Sequence, residues 1–500
     1  MTDEALVHEN ESETGADGPR LRRNLSVWEA IGVSVALMAP SMAININPQG
    51  SAGLVGRAVP LTFAIATVAV LLIAYTFVRL SQRFNHSGSV YGFVGVTLGP
   101  RSGAFSGWAM AGTYIFYGAV TSMASGIFLT TLIQESVWKG APEWLGFPIG
   151  GVVLALVWFL ATQPAKGGTR FLFIVEAVTV TLIVIVTIVV AVRLLAGNAP
   201  GGHHFDLSVF AIEPGSDMSA VFLGVVFAFL SFAGFEASAT LGEEARNPRR
   251  DIPRAILGTA IFGGVYFIVV SAIEVMGFGT DAKGVKAFIA SGALVGDLGS
   301  EYIAPWIGTL ITLGAAVSAV ACCLACVVGA SRLIFALSRD GLGPAPFQRV
   351  SAKHGVPHVA VAAVAIVVYV LIAVAWFVLH AKPYDLFVTS GTTGTLILLV
   401  AYVLATIGAI KLLFFTGERR VAGWEIVVPV LALVVLAYTL FRNIFPFPEG
   451  AAWWGPGLAI AWLVVALVAV LARPAAAVRA GELLSRSEGL AASEPSRSLR

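Results

Sequence analysis

The sequence predicts an all-α polytopic membrane protein, and both its composition and the lengths of its apolar segments point to that fold class. Of the 500 residues, 57% are hydrophobic and only 12% are charged, against about 25% charged in an average soluble domain. Apolar runs long enough to cross a bilayer follow one another through almost the whole chain. The loops are too short to fold alone, so residues 26–472 are expected to form a single membrane domain. The polar segments 1–25 and 473–500 are expected to be disordered tails.

Hydrophobic segments of about 17–25 residues are typical of transmembrane helices. The chain has twelve, and two of them exceed the thickness of a bilayer, so they must tilt or extend beyond it. Residues 87–102 are amphipathic and rich in glycine, which favours a short helix or re-entrant piece before the third span. The spans are expected at about residues 27–47, 58–80, 103–131, 147–163, 171–195, 218–241, 253–278, 304–337, 358–380, 386–410, 424–441 and 453–472.

The distribution of positive charge predicts the orientation in the membrane. An even number of spans places both termini on one side, and most of the 31 Lys and Arg residues lie on that side. Both termini are therefore expected in the cytosol. The preference for Arg over Lys favours a GC-rich bacterial genome and hence a plasma membrane. The net charge of +2 indicates no nucleic-acid partner. The apolar spans make the lipid bilayer the expected surroundings of the protein.

Two of the spans contain an interruption. In the first span Pro40 removes a backbone donor, so the helix is expected to break around Ala39–Ala43. In the sixth span Ala233 and Gly234 weaken the helix around Ser231–Gly234. The two spans run in opposite directions and hold matching positions in the two halves of the chain, which is typical of an inverted repeat with a binding site between its halves. A proline kink and a glycine packing contact are the alternative for either break alone.

Broken helices leave backbone groups free for a ligand. Freed amides at one half-helix end favour a carboxylate, and freed carbonyls at the other accept bonds from an ammonium group. A zwitterionic amino acid satisfies both. The sequence thus favours a small-molecule transporter of amino acids or related amines.

Glu236 and Glu176 are the acids that the spans place inside the membrane. Glu236 lies seven residues before Glu243, about 10 Å deeper along a helix, and Glu176 lies at similar depth in span five. An acid inside a spanning segment is costly and is normally functional, so both are candidates for coupling proton movement to transport. For each, a structural hydrogen-bonding role is the alternative. Glu274, near the end of span seven, is expected to reach the membrane surface.

The loop after the sixth span is densely charged and contains two prolines that stop and restart helices. Its ion pairs are candidates for an inner gate, the alternative being a solvated loop that only sets orientation. The predicted gate residues are Glu243, Glu244, Arg246, Arg249 and Arg250, with Arg332 and Arg339 at the end of span eight as partners. Cys322, Cys323 and Cys326 share one apolar helix and lack a fourth ligand, so buried thiols are favoured over zinc or a disulfide.

The run GFE followed by GEEARNPRRDIPRAI resembles the sixth-helix and loop signature of the amino acid–polyamine–organocation superfamily. AGLVGRAVPLTF, GSVYGFVGVTLGP and GWAMAGTYIFYG resemble the second- and third-helix region of its amino acid permeases, and the resemblance covers about residues 26–470. It implies a leucine-transporter-type fold: five plus five inverted-repeat helices (about 26–195 and 217–411) and two further helices (about 424–472). It also implies substrate contacts from Ala39, Pro40, Ser41, Met42 and Ala43 and from Leu230, Ser231, Phe232, Ala233 and Gly234. The first break departs from the family, since it reads APSMA where many relatives have a run similar to GSGIF.

These observations predict a secondary active permease that imports an amino acid or related amine, without enzymatic activity, cofactor or metal. A proton is the expected coupling ion, because the middle of span eight offers only Ser318 as a hydroxyl for a sodium site. Basic amino acid or polyamine exchange is one alternative, and a non-transporting nutrient sensor on the same fold is another. A channel has no need of two matched breaks, and a membrane enzyme needs a nucleophile–base cluster that the spans lack.

Overall fold

A computed structural model describes residues 26–84, 89–163, 168–213, 215–241, 245–351, 354–416, 421–474 and 476 of the protein. The predicted tail 1–25 and residues 475 and 477–500 of the predicted tail 473–500 lie outside these residues, as do Glu243 and Glu244. All regular secondary structure in the described ranges is helical. The α-helices are α1 Val27–Met38, α2 Pro40–Val55, α3 Val59–Ser81, α4 Ser89–Leu98, α5 Pro100–Ser136, α6 Gly146–Ala161, α7 Gly168–Leu195, α8 Met218–Phe232, α9 Pro248–Phe278, α10 Ala282–Ala290, α11 Leu294–Tyr302, α12 Pro305–Arg339, α13 His358–Ala373, α14 Pro383–Ile410, α15 Val427–Ile444 and α16 Trp454–Leu471.

The described residues contain 11 helical stretches long and apolar enough to cross a membrane. The first of them, Val27–Ser81, is 55 residues long and holds two of the predicted spans, separated by Gly56 with a φ of 59°. The all-α, multi-pass membrane architecture predicted from composition is thereby confirmed. The count of twelve spans and the inverted repeat stay predictions.

The first predicted break is one residue wide. Ala39 adopts the left-handed conformation, with φ 46° and ψ 58°, and it ends α1 and begins α2. Pro40 is the first residue of α2, where the missing N–H of proline costs nothing. The chain therefore changes direction at a single alanine and resumes a helix at once.

The second predicted break is wider. Helix α8 ends at Phe232, Gly234 has a φ of 101°, and the chain then makes a 3-10 turn over Ala237–Leu241. A φ of this sign favours glycine over residues with a Cβ. The sequence AGFE thus produces a short irregular stretch inside the helical domain.

The long helices α5 and α12 form the centre of the domain, with 37 and 35 residues, and small residues let neighbouring helices approach them. A Cβ at Gly314 of α12 would lie 2.1 Å from the Thr179 hydroxyl oxygen of α7. This close packing, of the kind that glycine permits in membrane helices, places α7 beside the first break and with it Glu176, one turn before Thr179.

Helices α10 and α11 form an additional layer between α9 and α12, which we call the cap (residues 282–302). It lies between the predicted spans 253–278 and 304–337, where the sequence has no long apolar run. Both helices are short and amphipathic, and they pack against α2 and α9. Asp281 starts α10 by accepting a hydrogen bond from the Gly284 amide at 2.7 Å, a standard N-cap.

Candidate functional site

The two predicted breaks lie against each other. A Cβ on Gly234 would be 2.8 Å from Leu37 Cγ, close to the end of α1. On the same side the Ser238 amide donates to Ser34 Oγ at 2.9 Å. The chain thus brings together segments about 200 residues apart, and glycine at position 234 is required because a side chain there would enter Leu37.

A cavity lies between the breaks. The first break contributes Leu37, Met38 and Met42, the second contributes Leu230, Ala233 and Gly234, and residues of α5, α12 and α14 complete the wall. The space open to the centre of a water molecule is about 30 Å³, enough for about two waters. A substrate of amino acid size requires the helices to move apart.

The predicted binding residues divide into two groups. Met42, Leu230, Ala233 and Gly234 line the cavity. The other six do not: Ala39, Pro40, Ser41 and Ala43 are buried behind it, Ser231 Oγ accepts a hydrogen bond from Asn47 Nδ2 at 2.7 Å, and the Phe232 ring packs against Phe267 at 5.3 Å. All ten stay predictions as substrate contacts.

Glu176 occupies the start of α2. Its Oε1 accepts a hydrogen bond from the Ser41 amide at 2.9 Å, the position where the freed amides were expected to hold a substrate carboxylate. The hydroxyls of Ser41 and Ser318 lie beside the same carboxylate, and neither has another hydrogen-bond partner in the described part of the chain. Helices α2, α7 and α12 therefore meet at a buried carboxylate.

Few amides at the start of α2 are left for a ligand. Pro40 has no N–H, the Ser41 amide is taken by Glu176, and the Ala43 amide donates to the Ala39 carbonyl at 2.8 Å. Among the first four residues of α2, only the Met42 amide is therefore available to a ligand. In this chain, where the first break reads APSMA and departs from the family pattern, a carboxylate of the protein itself, Glu176, occupies the Ser41 amide.

Glu236 lies in the irregular stretch after α8 and lines the cavity. It is 3% exposed, and its carboxyl group interacts with the loop amides of Gly234 and Glu236 and with the phenol of Tyr402. Within the described residues neither Glu236 Oε2 nor the Tyr402 hydroxyl makes a well-formed hydrogen bond. The acid is held by its own loop on one side and left with unused hydrogen-bonding capacity on the other.

Glu274 does not reach the membrane surface as expected. It is 1% exposed, and both of its carboxyl oxygens lack a hydrogen-bond partner among the described residues. The surface interpretation was wrong because depth in a helix does not tell which face is covered, and here α9 turns Glu274 into the protein.

The described gate arginines lie at the surface. Arg246, Arg249, Arg250, Arg332 and Arg339 are all exposed. Arg339 Nε lies 3.4 Å from Oδ1 of its neighbour Asp340, and the Arg339 side chain is 65% exposed. The inner gate stays a prediction, since Glu243 and Glu244 fall outside the described residues.

Two polar residues in α2 were missed by the sequence analysis. Asn45 Oδ1 accepts hydrogen bonds from the amides of Val295 and Gly296 at 3.0 and 3.2 Å, and Gln49 Nε2 donates to the Ser291 carbonyl at 2.6 Å. Both side chains are buried, and together they attach the first broken helix to the cap. The signal was available, because polar side chains inside a spanning segment need partners.

The fold and site define a multi-pass membrane protein with an internal cavity between two interrupted helices. The family model for amino acid permeases matches residues 32–482. The chain therefore belongs to the amino acid permease family, as its loop motif indicated.

Relatives include the branched-chain amino acid permease BcaP of Bacillus subtilis, 24% identical over 67% of this chain and 70% of the relative. The low-affinity putrescine importer PlaP of Escherichia coli is 25% identical over 65% of this chain and 69% of its own. An uncharacterized transporter of Mycobacterium tuberculosis is 28% identical over 88% of this chain and 90% of its own. Family membership and these relatives support transport of amino acids or amines.

Proposed function

We propose that this protein is a secondary active transporter, and not an enzyme, that imports an amino acid or related amine by alternating access. The observation that carries the proposal is the buried cavity between two facing helix breaks in a member of the amino acid permease family. Alternating access of two inverted repeats around this cavity, in a bacterial plasma membrane with both termini in the cytosol, is part of the same proposal.

Proton coupling through Glu236 is the second part of the proposal. The side chain is buried, faces the cavity and has an oxygen without a partner among the described residues. A carboxyl group beside the substrate changes the charge of the binding site when it gains or loses a proton, so proton binding and substrate binding become linked. Its contacts with the loop amides favour the structural role, whereas the open oxygen favours the coupling role. Glu176, tied to the α2 amide, serves as the supporting acid.

The arrangement of Glu176 favours one substrate class within this function, an amine without a carboxylate. A substrate carboxylate needs the N-terminal amides of a half-helix, and at α2 the Ser41 amide is already bonded to Glu176. The cavity lining contains the acid Glu236 and no Lys, Arg or His among the described residues. An ammonium group finds a counter-charge there and a carboxylate does not. Putrescine is the substrate named for the relative PlaP.

Transport by proteoliposomes tests the proposal. Purified protein is reconstituted, an inward proton gradient is applied, and uptake is measured for matched pairs that differ only in the carboxylate: lysine with cadaverine, and leucine with isopentylamine. Saturable uptake that shows counterflow supports a carrier, and preference for the amine in both pairs supports the amine class. Binding of these compounds without flux contradicts the carrier and favours the sensor.

A further inference from the structure

The cavity wall is rich in sulfur. Sixteen of the 500 residues line the cavity, yet they include half of the seven methionines and three cysteines of the chain. These five side chains are Met38, Met42, Met110, Cys322 and Cys326. Sulfur side chains fill irregular apolar space, but two thiols facing the same small cavity as three thioethers also form a set of soft metal ligands.

The two thiols are suitably placed to act together. Cys322 and Cys326 are four residues apart on α12, so they lie on one face one turn apart, and both line the cavity. The Cys322 thiol donates to the Leu37 carbonyl at 3.3 Å, which holds it at the first break. Both residues are buried, and both are free thiols.

The third cysteine is an internal comparison. Cys323 is on the same helix and is also buried, but its thiol is directed at the Gly118 carbonyl of α5, at 3.6 Å. It is not part of the cavity wall. Chemistry that depends on the cavity therefore involves Cys322 and Cys326 and leaves Cys323 unaffected.

We propose that this cavity binds a soft monovalent cation, Cu⁺ or its analogue Ag⁺, through the sulfur atoms of Cys322 and Cys326, with Met42 and Met110 as thioether ligands. Thiolate and thioether ligands select such ions, which accept coordination by two sulfurs. The described residues contain no group of three or more His, Cys, Asp or Glu that suits a metal ion, so a zinc-type site is not what the geometry offers. The space of about 30 Å³ accommodates a bare ion of water size without opening the helices.

Binding replaces an S–H bond by an S–metal bond. Each thiol that coordinates the ion releases its proton, which passes to water or to the Glu236 carboxylate on the same wall, and no electron is transferred. Since the cavity is the substrate site of the proposed function, the bound ion excludes substrate. Ag⁺ is therefore expected to inhibit uptake, and substrate is expected to protect against it.

Direct metal binding tests this inference separately from transport. Purified protein in chloride-free buffer is dialysed against Ag⁺, and bound silver is measured by mass spectrometry together with the thiolate-to-silver absorbance in the ultraviolet. We expect about one tightly bound ion per chain and, for the variant C322A/C326A, an affinity lower by at least about tenfold, a typical loss for a disturbed metal site. The control C323A is expected to bind like the unsubstituted protein.

Two results overturn the inference: unchanged silver binding in C322A/C326A, or an equal loss in C323A. If the double variant folds poorly, M42L/M110L retains both thiols and nearly the same volume, and it is expected to weaken binding while leaving thermal stability unchanged. Unaltered silver affinity in that variant removes the thioethers from the site and contradicts the proposal as stated. Silver binding without uptake of any substrate leaves the metal site standing and removes the proposed transport function.

Discussion

The two helix breaks differ in what closes them. At the first break the helix resumes after one residue, Ala39, and a carboxylate from another helix, Glu176, caps the Ser41 amide. At the second break the chain stays irregular from Ala233 to Glu236, and the acid that faces the cavity belongs to the break itself. At the first break an acid from another helix occupies the free amide, whereas at the second break the acid keeps unused hydrogen-bonding capacity.

The two breaks are therefore expected to have different functions, although their matching positions in the two halves of the chain suggest the same function. A half-helix start that already holds a carboxylate is a poor receptor for a second one, because both compete for the same amides. An irregular loop with an incompletely bonded acid is instead suited to a cation or a proton. The two breaks are therefore expected to bind different chemical groups, although their positions in the predicted inverted repeat are equivalent.

The largest effect is expected from blocking the second break with Gly234→Leu. The new side chain meets Leu37 at 2.8 Å and must adopt a φ of 101°, so contact between the two breaks carries an overpacking cost of about 3 kcal/mol. The conformation that binds substrate between them is then populated roughly 100-fold less, and uptake falls by the same factor. Gly99 has the same φ of 101° and nothing within 4 Å of an added Cβ, so Gly99→Leu is the matched control. Equal losses in both variants, measured as initial uptake rate, would show that backbone strain and not the close approach is responsible.

Opening the first break is expected to change substrate preference. Glu176→Ala frees the Ser41 amide, and a hydrogen bond to a charged group contributes about 2 kcal/mol. The ratio of lysine to cadaverine affinity is therefore expected to rise by about 30-fold. Glu274→Ala removes another buried acid and is expected to leave the ratio unchanged. A parallel loss of affinity for both compounds in the Glu176 variant would identify a purely structural carboxylate.

The acid of the second break is expected to set coupling, whereas the apolar wall of the cavity retains part of the affinity after its charge is removed. A gradient of one pH unit driving one proton supports roughly tenfold accumulation, and Glu236→Gln is expected to abolish it while retaining weakened binding and counterflow at saturating substrate. Accumulation across the pH gradient is the measurement. If the variant accumulates substrate like the unsubstituted protein, Glu236 is a structural residue of its loop.

The smallest effect is expected at the cap, which holds the first break through Asn45. Burial raises the pKa of Asp297, the nearby Glu301 adds to the rise, and a hydrogen bond from Ser291 at 2.5 Å opposes it. With its pKa raised above the usual 3.8, Asp297 favours the packed cap while protonated, and that contribution is lost as pH rises through the raised pKa. Hydrogen-exchange protection factors of residues 282–302 are expected to fall by a few-fold across this window.

Asp297→Asn keeps the side chain neutral at every pH, so the protection factors in the cap, which are corrected for the pH dependence of intrinsic exchange, are expected to become independent of pH across that window. Thr309→Ala, which removes an exposed hydrogen bond on α12, serves as a control in which the pH dependence persists. A pH dependence that persists unchanged in Asp297→Asn would place the titrating group elsewhere.

Much of the fold followed from local patterns. The long apolar runs predict membrane helices wherever they occur, and Pro40 and Gly234 mark the two breaks through backbone constraints that belong to single residues. The charged loop motif indicated the family, which the match over residues 32–482 supports. The cap was missed because its helices are short and amphipathic, so they lack the apolar length that identifies a span.

The contents of the site depend on contacts between distant parts of the chain. Ser41 and Glu176 are 135 residues apart, and whether such groups meet depends on the rotation and depth of each helix, which spacing in the sequence does not determine. For the same reason Glu274 faces inward, and Cys322 and Cys326 line the cavity while Cys323 does not. Composition and backbone chemistry were enough to predict a membrane protein with two broken helices, but the carboxylate on the first break and the sulfur in the cavity came from how the helices pack.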